Sequence, residues 1–394
     1  MWRKLKWEIT FIIALFVALP VGLYLWRDYT LGRRLEAELS ALRASGAPLT
    51  WEDAAPKPVP DDQNAAVLYQ QVFRVDFSAG GSNPTFQDFD TADQEILSRF
   101  REEPREEDAE WLREKLAEAG RTEAMGTLRE ASLKPHSVFA IRWDLGPSAL
   151  FPHYAKMRAA TRVMVQKANL AAYDGDMAEA LDWHATVLRM SRHVIDEPAL
   201  IADLVGIAMQ SMSFRALKYL LRDYEVPRGA ADELDAALAD FDMQAALKHA
   251  LIGSRALGLQ CFDMAYENPV TFMQQSGSVP TGFEALGTIG RVFGPMRKAD
   301  TLTYLRYMRE SISLAERPAR VGRVKADALT QEIESLQFWQ APLTRMLGPA
   351  LFDRAGSKTD QAVANITMCR LVLALKAHRR DTGAYPASLK ELQP

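Results

Sequence analysis

Ala168-Asn-Leu-Ala-Ala-Tyr-Asp-Gly-Asp-Met-Ala-Glu-Ala-Leu181 closes one helical stripe and opens another. Before it, Met157, Ala160, Met164, Ala168 and Ala171 recur at the spacing that lines one face of an α-helix. After Asp174-Gly-Asp176 the spacing resumes through Met177, Ala180, Leu181, His184, Leu188 and Ser191. Two helices joined by a tight turn are predicted, and the small residues along both stripes predict a close approach. Downstream, helical patterns cover 198–221, 230–241 and 243–265, the last with apolar positions 243, 247, 250, 257, 261 and 264. Helices resume over 302–315 and, beyond a Pro- and Gly-containing stretch at 341–357, over 361–380. Lys376, His378, Arg379 and Arg380 suit the carboxyl end of that last helix, and Gly383 with Pro386 ends it. No run alternates long enough to argue for a sheet, so the expected fold is all-α.

Upstream, the 18 uncharged residues 9–26 follow a tail with Arg3, Lys4 and Lys6. At 1.5 Å per residue they span roughly 27 Å, close to the hydrocarbon thickness of a bilayer. Trp7, Tyr24 and Trp26 stand where aromatic rings favour the headgroup level. Trp26-Arg27-Asp28-Tyr29 is unlike a signal-peptidase site, which points to retention as a signal-anchor. The segment also lacks the Gly before and the Glu just inside the apolar stretch that a prepilin carries.

The expected organisation is therefore a basic cytoplasmic tail at 1–8 and a single transmembrane helix at 9–26. An amphipathic stalk helix and Pro-rich connector would fill 27–60, and a helical extracytoplasmic domain 61–394. Leu31, Leu35, Leu39 and Leu42 carry the stalk stripe, Gly46 stops it, and Ala54-Ala-Pro-Lys-Pro-Val-Pro60 cannot stay helical. Asp61 or Asp62 is the expected N-cap of a helix over 64–73. Loops are expected at 78–83 and, rich in Gly and Pro, around 268–298. Glu-Glu-Pro104-Arg-Glu-Glu-Asp places acids at a helix start, with Trp111, Leu112 and Leu116 turned inward.

The composition, 48% hydrophobic and 25% charged, is that of a folded protein. Setting aside the first eight residues, with three basic and one acidic side chain, leaves 44 basic and 50 acidic residues, a net charge of −6 that attracts no nucleic acid. Cys261 and Cys369 sit in apolar helical patterns and read as buried free thiols.

Chemistry is hard to find in the chain. H-E-x-x-H, G-x-S-x-G, the Walker loop and the dinucleotide glycine fingerprint are all absent. Gly253-Ser-Arg255 interrupts a helix rather than joining strand to helix, and Gly287-Thr-Ile-Gly290 lacks a following Lys-Ser/Thr. His184 and His193 lie nine positions apart, a rotation of about 180°, so they cannot share a metal. His184 reads as a core histidine, and His136 and His153 flank Gly146-Pro147 without a visible partner. No catalytic, metal or cofactor-binding residue is assigned from the sequence.

Three resemblances to known proteins stand out. The segment 168–181 resembles a tetratricopeptide helix pair, giving the body a partly tetratricopeptide-like, irregular multi-helix expectation without a second copy of the repeat. Leu42-Arg-Ala-Ser-Gly-Ala-Pro-Leu-Thr-Trp51, Val59-Pro-Asp-Asp-Gln-Asn-Ala-Ala66 and Asp196-Glu-Pro-Ala-Leu-Ile-Ala-Asp-Leu-Val205 resemble uncharacterised membrane-anchored helical proteins of planctomycete-type bacteria. That resemblance implies a helical body on one N-terminal anchor, and no activity. The tail through Gly383-Ala-Tyr-Pro386 is similar to the helix end and turn of type II secretion pseudopilins, although turn chemistry alone explains the match.

The expected function is a membrane-anchored binding or scaffolding protein of the cell envelope, single-pass in the inner membrane, with the bilayer and another protein as partners and no cofactor. The alternatives are an envelope hydrolase with dispersed active-site residues and an accessory of a secretion or pseudopilus-like system.

Overall fold

The computed structural model describes residues 2–74, 91–117, 120–267, 272, 294–317, 319–337 and 339–392. Among these the chain is all-α, without strands. The first helices are α1 (Trp2–Ala44), α2 (Trp51–Ala54), α3 (Ala65–Phe73), α4 (Thr91–Glu102), α5 (Glu106–Leu116) and α6 (Arg121–Ser132). The central ones are α7 (Pro152–Tyr173), α8 (Met177–Ile195), α9 (Leu200–Asp223), α10 (Arg228–Ala239) and α11 (Met243–Glu267). The last are α12 (Gly294–Ala315), α13 (Ala319–Ser335), α14 (Pro342–Leu347) and α15 (Pro349–Thr382). The expected loop at 78–83, and 268–271 with 273–293 of the expected later loop, lie outside the described residues.

Two compact units divide the chain. The first comprises Met1–Ala54, Leu145–Ser148 and Ile252–Asp353, and the second Ala55–Asp144, Ala149–Leu251 and Arg354–Pro394.

The second unit is organised on the α7–α8 hairpin. Gly175 takes φ 87°, a left-handed conformation that costs glycine nothing, and the Asp176 carboxylate accepts the Glu179 N–H at 2.9 Å to cap α8. α7, α8 and α9 then pack on one another, with α10 on α8. Met157, Ala160, Met164, Ala168, Ala180, Leu181 and Leu188 are essentially solvent-free, so both stripes face the core. The α8–α9 contact is closer still. A Cβ at Gly206 would stand 2.2 Å from Ile195 Cγ1 and 2.9 Å from the Ser191 carbonyl, so only glycine lets these backbones approach. Around the hairpin, Asn64 and not an aspartate caps α3, accepting the Ala66 N–H at 3.1 Å, because Asp61 and Asp62 are taken up in a preceding 3₁₀ turn. Glu106, Glu107 and Asp108 occupy the first turn of α5, and Leu112 and Leu116 are buried.

In the first unit, α1 packs on α12 and runs unbroken past Trp26 to Ala44, where Gly46 at φ 71° stops it. Asp28 Oδ1 meets Lys298 Nζ at 2.7 Å, and Glu38 meets Arg309 at 3.3 Å. The expected stalk stripe over 27–44 is thus a packed face. Tyr304 fills the space over Gly258, where a Cβ would fall 1.9 Å from its hydroxyl, and donates to the Ser254 carbonyl at 3.0 Å. Asp300, fully buried, accepts the N–H groups of Leu343 and Thr344 at 2.9 and 3.1 Å, capping α14 from across the unit. The Thr344 and Tyr266 hydroxyls complete its shell at 2.6 and 3.1 Å. Burial still pushes the Asp300 carboxyl up to about 6 against those bonds.

Three boundaries differ from the sequence reading. α12 begins at Gly294, eight residues before the expected 302, and α14 and α15 fill much of the stretch expected as a break. Pro295, Pro342 and Pro349 all stand in first turns, where a missing N–H costs nothing. α13 was not signalled.

The hairpin gives a direct test. Ala180→Leu overpacks a side chain with no solvent exposure and is expected to cost about 1–3 kcal/mol, read as a lower urea midpoint. An unchanged midpoint would place Ala180 outside a tight helix crossing.

Candidate functional site

His153, which the sequence left without a visible partner, finds one in the second unit. His153 and Tyr154 follow Pro152 at the start of α7, and Glu197 lies in the α8–α9 turn. His153 Nε2 stands 2.9 Å from Glu197 Oε1, and the Tyr154 hydroxyl donates to Glu197 Oε2 at 2.6 Å. Phe139 stacks on His153 at 4.1 Å between centroids, and Phe151 stacks on Tyr154 at 5.1 Å. All three polar residues are buried, and burial, then the Glu197 charge, holds the Tyr154 hydroxyl well above the usual phenol range.

A second histidine adjoins this layer. His193 Nε2 stands 2.9 Å from the Lys134 carbonyl, which can only accept, so Nε2 carries the proton and Nδ1 accepts from the Tyr69 hydroxyl at 2.8 Å. Burial pushes His193 down to about 4, leaving it neutral at pH 7. His184 is separate, as its rotation requires. It bonds Ser213 at 2.8 Å, with burial pushing it down to about 3. These imidazoles are acid–base groups closed to solvent, and what they do is pin helices. Cys261 and Cys369 are free buried thiols, both pushed up to about 12 by burial. Among the described residues no three His, Cys, Asp or Glu side chains converge to hold a metal.

Concave surface lies elsewhere in the unit. A groove of about 710 Å³ runs between α9 and α15. The two helices run in the same direction, since Lys376 near the end of α15 donates to the Tyr224 carbonyl just past α9 at 2.8 Å. Ser211, Lys358 and Gln361 therefore mark one end, and Leu221 and Val372 the other. No lining side chain is acidic, although the chain is. Arg222 is matched by the neighbouring Asp223 at 2.5 Å. Arg215 and Lys358 donate instead to neutral oxygens on their own helices, the Ser211 carbonyl and Gln361 Oε1, both at 3.3 Å.

On the other side of α15, a groove of about 840 Å³ faces α10 and is closed by Leu389 and Leu392 of the chain's own tail. Unlike the first it carries acidic lining residues, Asp232 and Asp235, and Arg370 pairs with Asp235 at 2.7 Å.

Neither the α9–α15 groove nor Glu197 was anticipated. Ser211, Arg215, Lys218 and Arg222 do form a polar stripe at helical spacing along an otherwise apolar helix, and that stripe was the available signal. No protein-family model, curated protein or solved structure matches the chain.

Two tests follow. Glu197→Leu strands two buried donors and is expected to cost about 3 kcal/mol or more, and Tyr154→Phe about 2 kcal/mol. Equal midpoints for either variant and the parent would remove the cluster's pinning role. Asp203, on α9, is fully buried with no hydrogen-bond partner for either oxygen among the described residues, and burial pushes it up to about 7. The folded state thus keeps a proton that the unfolded chain releases near 3.8, so this carboxyl's contribution to stability falls as pH rises from about 4 to 7. His184 and His193 push the other way, because their depressed values make stability rise toward pH 6.5. Asp203→Asn is therefore expected to gain on the parent steadily over pH 4–7 and level off above. A pH-independent difference in urea midpoint would contradict that.

Proposed function

We propose that this protein is a membrane-anchored helical binding or scaffolding protein of the cell envelope. α1 would cross the inner membrane over 9–26, the basic tail would remain cytoplasmic, and the bulk of the chain would lie outside. The supporting observation is the surface of α1. Leu15, Phe16, Leu19, Leu23, Leu25 and Trp26 are each more than half exposed in consecutive turns of one helix. A soluble monomer rarely leaves so long an apolar surface in water, and a bilayer removes the cost. The side chains of 8–14 lie outside the described residues, so the argument rests on the second half of the segment.

Composition alone favours another helix. Among the described residues α9 is the one long and apolar enough to cross a membrane, yet 61% of its apolar window is buried in the fold and it carries a face of the second unit's core. We assign α9 to the core for that reason.

A binding role is favoured over a hydrolase because the His153–Glu197–Tyr154 cluster is enclosed by rings, whereas the open α9–α15 groove holds cations and apolar side chains without a carboxylate. The α7–α8 hairpin is the tetratricopeptide-like element of this reading, and it serves as a scaffold for α9.

The anchor is tested with the full chain in native membranes. The parent is expected to stay in the pellet through alkaline extraction. Leu15→Arg with Leu19→Arg, at exposed positions either side of the middle of the span, is expected to release it, since each Arg near the centre of a span costs about 2.5–3.5 kcal/mol. Release of the parent, or retention of the double variant, would sink the transmembrane reading.

A further inference from the structure

We propose that the α9–α15 groove binds a long-chain fatty acid, with its carboxylate at the Lys358 end and its acyl chain lying toward Val372. Three observations carry this. The first is electrostatic. In a chain whose charge is −4, the groove presents Arg215, Lys218 and Lys358 with no acidic lining residue, and among the described residues none of the three forms an ion pair. A carboxylate brought there gains charge-assisted bonds without displacing an acidic partner, exchanging only long bonds to neutral oxygens.

The second is a gradient of polarity along the groove. Ser211, Lys358, Gln361 and Asn365 cluster toward one end, where Phe214 is the one apolar lining side chain, whereas Leu217, Leu221, Met368, Cys369 and Val372 form the other. Lys218 stands exposed on the outer edge, and Arg222 is neutralised by Asp223. An occupant with one charged head and one long apolar tail matches that order. An acidic amphipathic helix would need its cationic counterparts and its apolar floor distributed along the whole length.

The third is size. From Lys358 to Val372 the groove follows 14 residues of α15, about 21 Å. Its volume of about 710 Å³ lies within the range of small-ligand sites and is too narrow to enclose a helix. Met368, 59% exposed on this face, is the type of flexible apolar side chain that adapts to a tail.

The proposal does not rest on the anchor, because the groove belongs wholly to the second unit. Its test uses the purified full chain, in zwitterionic nanodiscs where it inserts and in plain buffer where it does not, with a diazirine-bearing palmitate as photoprobe and mass-spectrometric mapping of the adducts. Adducts are expected in 211–222 and 361–372, and they should be competed by unlabelled palmitate. The methyl ester of the probe should label weakly. Arg215→Glu with Lys358→Glu, both at exposed positions, should lower groove labelling about tenfold, the equivalent of one charge-assisted contact. Arg370→Glu, beside the neighbouring groove, should not. Val372→Trp should block the tail end, with the urea midpoint showing that it folds, and the charge reversals decide the matter if it does not. Adducts only elsewhere, equal labelling by the ester, or indifference to charge reversal would overturn the assignment. So would displacement by an acidic amphipathic peptide but not by palmitate, which would make the groove a protein-docking surface. Loss of membrane retention would leave all these readouts intact, so the two proposals fail separately.

Discussion

The second unit depends on one buried carboxylate. Glu197 sits in the four-residue link between α8 and α9 and takes hydrogen bonds from His153 and Tyr154, both at the first turn of α7. The link is thereby held against the start of α7, and α9 leaves it at a set angle. Gly206 then lets α9 close on Ser191 and Ile195, a contact any Cβ would forbid. Polar fixation at the turn and apolar contact two turns later determine the same line. Everything built on α9, including its face toward α15, follows from those two points.

Burying polar groups for this purpose carries a cost that the unit meets unevenly. The Glu197 and His193 clusters are placed among rings, and a hydrogen-bonded network in a low-dielectric layer specifies one arrangement of helices where an apolar layer would accept several. Asp203 has no such partners. It occupies the first turn of α9, where a helix amino terminus favours a negative group, yet burial dominates and the carboxyl is pushed up to about 7. The contrast shows what sets the cost of a buried acid. Asp300 is just as enclosed, but four donors hold it lower, at about 6.

The helical class was legible because it rests on local periodicity. The stripes through 157–191, 198–221, 230–241 and 243–265 correspond to α7–α11 within a few residues at each end. Prolines misled where they stand in first turns, since a residue that stops one helix is also the residue best suited to start the next. α13 escaped notice because only a few inward positions, such as Leu329 and Ile333, stand among many charges. The sites were not legible, for a different reason. Glu197 is 44 residues from His153, and the facing walls of the α9–α15 groove are separated by well over a hundred residues. Such pairings are products of packing, and no spacing rule encodes them. His184 shows the converse. Its place on an apolar stripe was enough to read it as a core residue, and it is one.

The continuity of α1 gives the anchor proposal a mechanical consequence. Only Arg27 separates Trp26, the expected end of the span, from Asp28, and Asp28 already pairs with Lys298 on α12. Gly32 lies against the Lys298 stem, and Gly294 against the Asp28 carboxylate. A Cβ at Gly294 would fall 2.8 Å from Asp28 Oδ1, so this glycine leaves room for the ion pair, whereas one at Gly32 would make ordinary contact. A spacer able to swing would need a breaker or a solvated stretch here, and neither is present, because the helix continues to Ala44 with Glu38 bound to Arg309. With α1 in a bilayer, Lys298 and the adjacent Arg297 would therefore stand within about one helical turn of the headgroups, where cations are favoured. The segment whose stripe of leucines reads as an amphipathic stalk would then fix the first unit directly against the membrane surface.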